Sequence, residues 1–287
     1  MLGTILASLS GLVSDRSVLE AAVAAARIDG GHIQCLRARI DVVESAALAA
    51  ASAKRHADYY ETLQEIADEE DQRSRHAGEA FSEACRRHAL TPLDRPEGAP
   101  KVSIAWKETR SLLNETLNEA RFHDLTIMGR AANLSREQII SVLMRSGRPL
   151  LLAPQKPVDT LGRRVAIAWK DSAEAARALT AAGPLLSRAD SIIILAVTEN
   201  ADEADDTRTS AERLANRLAW RGIKAEVRTC ETPRAATSNI LLDMAYEWNA
   251  DLLVMGAYGH SRVREFIFGG VTHDLLAACP LPLFMAS

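Results

Sequence analysis

Short apolar runs without alternation recur along the chain, each followed by a stretch in which apolar residues return every three or four positions. Runs of the first kind suit strands of a parallel sheet covered on both faces, and stretches of the second kind suit amphipathic helices. In the second half the pattern predicts strands at 164–169, 191–197, 224–228 and 252–255, with helices at 173–186, 211–221 and 235–248 between them. A glycine-punctuated loop follows, then a helix around 273–278 and a last strand at 282–285. The first half gives strands at 4–9, 33–40 and 102–106 and helices at 18–27 and 111–121. A long polar helical insertion, 44–88, interrupts it; its acidic run from Glu65 to Asp71 reads as a solvated helix face rather than a metal site.

The two halves echo each other. Asp124-Leu-Thr-Ile-Met128-Gly129 matches Asp251-Leu-Leu-Val-Met255-Gly256 at a shift of 127 positions, whereas Arg148-Pro149 matches Leu281-Pro282 at a shift of 133. The first copy is therefore six residues shorter between these landmarks, and Arg130 to Arg136 contains no glycine. Strands alternating with helices in two copies predict an α/β fold, with two open parallel-sheet domains in tandem related by a pseudo-twofold. The expected domains are 1–153, which carries the insertion, and 164–287, joined by the Pro-containing linker 154–163.

The loop after the 252–255 strand concentrates the chemistry. Gly256 ends the strand, and ligands of open α/β sheets lie beyond the carboxyl ends of strands. Gly256 and Gly259 allow close backbone approach. Gly269, Gly270, Val271 and Thr272 lead into the following helix, whose N-terminal amides and dipole favour an anion. Thr272 adds a hydroxyl and Arg262 a charge. The spacing is neither the Rossmann fingerprint nor a P-loop, since no Gly-Lys-Ser/Thr occurs. With Gly256, Gly259, Gly269 and Thr272 in place, it closely resembles the nucleotide-binding signature of the universal stress protein family. That resemblance implies two adenine nucleotide alpha hydrolase-like (flavodoxin/Rossmann-like) domains, with ATP, ADP or AMP held in the C-terminal one and Mg2+ accompanying ATP. It implies a nucleotide site built from Ala168, Trp169, Lys170, Val197, Met255, Gly256, Gly259, His260, Arg262, Gly269, Gly270, Val271 and Thr272. Two positions depart from the family pattern. Gly270 stands where Ser or Thr is usual, and Lys170 stands where an Asp contacts the nucleoside. Val197 falls at the position that lies against the adenine ring, and is equally compatible with an ordinary core valine.

The family resemblance further implies that the last strand of each half is the edge through which domains pair. An apolar edge strand is a liability unless paired, so an intramolecular pseudo-dimer is expected, with room for a homodimer. The remaining composition narrows the function classes. A net charge of −4 over 287 residues gives no electrostatic footprint for nucleic acid, and no apolar run reaches membrane-spanning length. Cys35, Cys85, Cys230 and Cys279 are scattered, which suits reduced cysteines of a cytoplasmic protein. No metal site, catalytic triad or paired carboxylates can be assembled, and His260, His273 and Asp274 lack a defined catalytic partner. The expectation is a regulatory binding protein, at most a very slow ATPase. Two alternatives stand beside it. One is an ATP-pyrophosphatase-like adenylating enzyme, suggested by Ser10-Gly11-Leu-Val-Ser14-Asp15; the other is a dimerisation module that binds no nucleotide.

Overall fold

The computed structural model describes residues 2–39, 57–93, 95, 102–110, 115–130, 136–233, 236–257 and 270–287. In chain order the first half contains β1 (Thr4–Leu9), α1 (Asp15–Asp29), β2 (His32–Arg39), α2 (Ala57–His88), β3 (Ser103–Arg110), α3 (Glu115–Ala120), β4 (Leu125–Gly129), α4 (Arg136–Arg145) and β5 (Leu150–Ala153). The second contains β6 (Arg164–Ala168), α5 (Ala173–Ala181), α6 (Gly183–Leu186), β7 (Ser191–Thr198), α7 (Ala204–Ala219), β8 (Ala225–Glu231), α8 (Thr237–Glu247), β9 (Leu252–Gly256), α9 (Gly270–Ala278) and β10 (Leu283–Ala286).

All ten strands form one sheet in the order β3-β2-β1-β4-β5-β10-β9-β6-β7-β8. Pairing is parallel within each half and antiparallel where β5 meets β10, with Leu152 opposite Leu283 and Leu150 opposite Met285. The second half thus repeats the strand order of the first, turned about a pseudo-twofold between β5 and β10. Each of these two apolar strands would otherwise be an open edge. One apolar layer, containing Val18, Leu19, Val23, Phe81, Ala178, Leu185 and Leu214, lies under α1, α2, α5, α6 and α7. The other, containing Leu117, Val142, Leu143, Leu241, Leu275 and Leu276, lies under α3, α4, α8 and α9. Burial on both faces is why the strand sequences do not alternate.

The sequence repeat has a structural cause at each of its landmarks. Asp124 Oδ2 accepts from the backbone N–H groups of Gly3 and Thr4, each at 3.0 Å, tying the start of β4 to the start of β1. Asp251 does the same in the second half, accepting from Arg163 N at 3.1 Å and Arg164 N at 2.9 Å. The strand-ending glycines serve helix packing. A Cβ on Gly129 would come within 2.7 Å of Ser14 Oγ, and one on Gly256 within 2.4 Å of Ala175 N. These neighbours belong to the first turns of α1 and α5, so a side chain at either glycine would push a helix off its sheet.

Several elements differ in extent from the sequence expectation. The helix expected over 173–186 breaks at Ala182, because Pro184 lies in the first turn of α6 and has no N–H to donate back. Helix α7 begins at Ala204 rather than 211, behind a 3-10 turn at 201–203 to which Asn200 Oδ1 supplies a cap by accepting from Asp202 N at 3.2 Å. Strand β3 runs on to Arg110, since all eight of its residues pair with β2. The polar stretch expected as an insertion is the β2–β3 crossover itself. Helix α2 holds the topological place of α7 but has 32 residues against 16; positions 44–56 of the expected stretch lie outside the described residues. The halves also cap each other's helices. Arg130, just past β4, donates to Leu275 O at 3.0 Å and to Cys279 O at the end of α9, and Ser287 Oγ, just past β10, donates to Leu143 O in α4 at 2.8 Å.

Candidate nucleotide-binding site

Within the second half the chain leaves β6 toward β7 and β8 on one side and returns to β9 and β10 on the other. The carboxyl ends of β6 and β9 therefore flank the topological switch point, where an open α/β sheet leaves a crevice. Ala168 is paired with Met255 across that boundary and with Leu195 on its other side. Trp169 continues the line by donating its N–H to Leu195 O at 2.8 Å, and its indole Nε1 donates to Ser210 Oγ at 3.0 Å. Ser210 in turn donates to Asp171 Oδ2 at 3.2 Å. Asp171, the carboxylate next to Lys170, is thereby tied to α7. Lys170 is exposed. Ser172 caps α5 by accepting from Ala175 N at 3.2 Å. In the first turn, Glu174 is held below the usual carboxylate range by its own backbone N–H, with help from Arg177.

Helix α9 starts beyond the end of β9, at Gly270. Thr272 in its first turn is buried, Val271 is half-buried against the second apolar layer, and Gly270 is exposed. Asp274 is fixed by Ser238 Oγ, which donates to it at 2.9 Å and links the starts of α8 and α9. The glycines at the two ends of the loop thus serve different purposes. Gly256 is required by α5, whereas a Cβ on Gly270 would meet nothing within 4 Å. Among the expected site residues, Ala168, Trp169, Lys170, Met255 and Gly256 come together at the β6 and β9 ends, and Gly270, Val271 and Thr272 form the start of α9. Val197, near the end of β7, is half-buried against the same layer. Gly259, His260, Arg262 and Gly269 lie outside the described residues. The Trp169–Ser210–Asp171 chain and the Ser238–Asp274 bond escape sequence reading because their partners lie about forty positions apart with no motif between them.

The corresponding end of the first half is built differently. After β1, Asp15 is buried and accepts from Ser10 N at 2.8 Å and Gly11 N at 2.7 Å. Burial pushes its carboxyl above the usual value, against the pull of those two amides. Gly11, at φ +78°, rests against helix α2, and a Cβ there would lie 2.3 Å from Arg73 O. At the end of β2, Arg37 makes a 2.8 Å ion pair with Glu70 of α2, the side chains only 5% and 3% exposed. Arg39 pairs with Asp71, and Ser74 donates to Glu108 of β3 at 3.0 Å. The amides of Ser10 and Gly11 thus turn inward onto Asp15, and α2 lies across the carboxyl ends of β1, β2 and β3. This arrangement counts against a pyrophosphate-binding loop at 10–15.

The universal stress protein family model matches residues 162–287. Those residues are a universal stress protein domain. The comparison with curated proteins gave no match. Among solved structures, a universal stress protein from Archaeoglobus fulgidus DSM 4304 superposes with a TM-score of 0.67 at 17% identity, covering 99% of this chain and 98% of that one. A functionally unknown protein from Pseudomonas aeruginosa PAO1 gives 0.57 at 14% identity, over 99% and 92%. The cytoplasmic domain of a prokaryotic cation chloride cotransporter gives 0.52 at 13% identity, over 100% and 96%. At these identities the likeness is one of fold, and it extends over both halves. The first half thus repeats the fold of the matched domain ahead of it. Among the described residues no helix is long and apolar enough to cross a membrane.

Proposed function

We propose that this universal-stress-type protein is a cytoplasmic regulatory module that binds one adenine nucleotide per chain, in its second half, and does not turn it over at enzymatic rates. The observation that carries the reading is the pairing of the β6 and β9 ends at the switch point, inside the domain that matches the family and followed in the chain by α9. The first-turn amides of α9, its dipole and Thr272 suit the phosphates. Gly270 leaves backbone accessible there because no packing contact uses its missing side chain. Mg2+ would enter with ATP, through the phosphates. In the first half α2 lies against the loop after β1 at Gly11, and the 131–135 segment has no glycine, so we assign that half the part of scaffold and intramolecular partner.

Mass spectrometry of small molecules released when the purified protein is denatured tests the assignment. Adenine nucleotide near one equivalent per chain supports it; a preparation that neither carries nor takes up adenine nucleotide refutes it.

Slow hydrolysis follows from the side chains available. Phosphoryl transfer needs an oriented water and a charge placed for the transition state. Lys170 and Arg262 could supply charge, but only His260 is a candidate to orient water. Steady-state assays should give turnover far below about 1 per second. Faster turnover that vanishes in His260→Ala, with nucleotide affinity retained, would make this protein an ATPase.

A further inference from the structure

A groove of about 510 Å³ runs between the two halves, within the size range of small-molecule sites. The first half contributes Arg148 and its neighbours just before β5; the second contributes Arg177 and Thr180 of α5, Arg217 of α7 and the end of β10. Three of the lining residues are arginines and none carries an acidic side chain. Arg217 is exposed and makes no hydrogen bond or ion pair among the described residues. Arg148 is 44% exposed; its Nε donates to Arg121 O at 3.3 Å, and its only carboxylate neighbour among the described residues, Asp124, is 3.9 Å away and already engaged by the amides of Gly3 and Thr4. Arg177 is half-covered, with Nη2 on Glu174 at 2.8 Å and Nε on Ser287 O at 2.6 Å. The architecture does not demand this charge. The pseudo-twofold mate of Arg148 is Leu281, a half-buried apolar residue on the second layer.

We propose that this groove is a second ligand site, separate from the β6–β9 crevice, that takes a small polyanion of the di- or triphosphate class. Guanidinium groups present planar forks that bind phosphate oxygens in pairs. Arginines drawn from three elements match charge spread along a short chain better than a single carboxylate. Arg148 belongs to one half while Arg177 and Arg217 belong to the other, so the bound anion crosses the β5–β10 junction and ties the halves together.

Calorimetric titration of the full chain with inorganic tripolyphosphate, alongside AMP, tests the site. Arg217→Gln and the double variant R148Q/R217Q alter exposed side chains, and thermal melting checks that each folds as the parent does. Saturable tripolyphosphate binding that weakens at least about tenfold in the double variant, and by a lesser factor in Arg217→Gln, is expected, with AMP affinity held within about twofold. No saturable tripolyphosphate binding to the parent, or equal binding to parent and double variant, overturns the proposal. A parallel loss of AMP affinity also overturns it, because the anion would then be occupying the nucleotide crevice. If the chain binds no AMP at all, the tripolyphosphate comparison alone decides.

Discussion

Replacing Glu70 with Ala should cost about 3–5 kcal/mol of stability, the range expected when one partner of a buried ion pair is removed. Arg37 lies in the sheet with its side chain 5% exposed, and Glu70 neutralises it at 2.8 Å from above. Without Glu70 the guanidinium would stay buried with a carbonyl contact to Ala38 at 2.7 Å and no ion pair, only the longer-range charge of Asp15, which is itself held by Ser10 and Gly11. Removing both charges together has a different outcome. The double replacement R37M/E70L exchanges the pair for apolar volume and should fall close to the parent, because desolvating two ions offsets much of their attraction. Urea unfolding of the three proteins reads the difference. A Glu70→Ala cost under about 1 kcal/mol would mean that α2 does not lie across the first-half strand ends as a packed, charge-matched cover.

The second large effect separates the two ends of the glycine loop. Gly256→Val should cost about 3 kcal/mol or more, because the new Cβ would sit 2.4 Å from Ala175 N, a backbone atom that cannot move without α5. Gly270→Val should fold like the parent, since nothing lies within 4 Å of its Cβ position. It should nevertheless weaken adenine nucleotide binding by at least about tenfold, or roughly 1.4 kcal/mol, by blocking approach to the first turn of α9. Thermal melting and nucleotide titration together check both variants. If Gly270→Val binds as the parent does, the start of α9 is not where the phosphates lie.

The parts of the fold that were legible in the sequence are those fixed by local pattern. Leu252 to Met255 and Leu283 to Met285 read as buried strands because both faces of the sheet are covered, and the Asp124 and Asp251 segments revealed the repeat. The reasons behind the landmarks were not legible. Asp251 appears in sequence as one more residue of a matching run, but its work is to hold the amides of Arg163 and Arg164, about ninety positions away in the chain. Gly256 stood out as a place of close backbone approach to a ligand, and the backbone that approaches it in the structure is that of α5. The polar face of α2 suggested solvent, and most of it is solvated. Glu70 faces inward only because β2 places an arginine opposite it, a pairing 33 positions apart that no periodicity encodes. The asymmetry between halves was visible as missing glycines, but the second barrier, a helix lying over the first-half strand ends, requires the three-dimensional arrangement.

Counting nucleotides tests the central claim most directly. Calorimetric titration of the intact, nucleotide-free chain with ATP should saturate at one equivalent, because only the second half carries the glycine array, whereas in the first half α2 packs on the loop after β1. Saturation at two equal sites, or no binding at all, would contradict this account of how the two halves divide their roles.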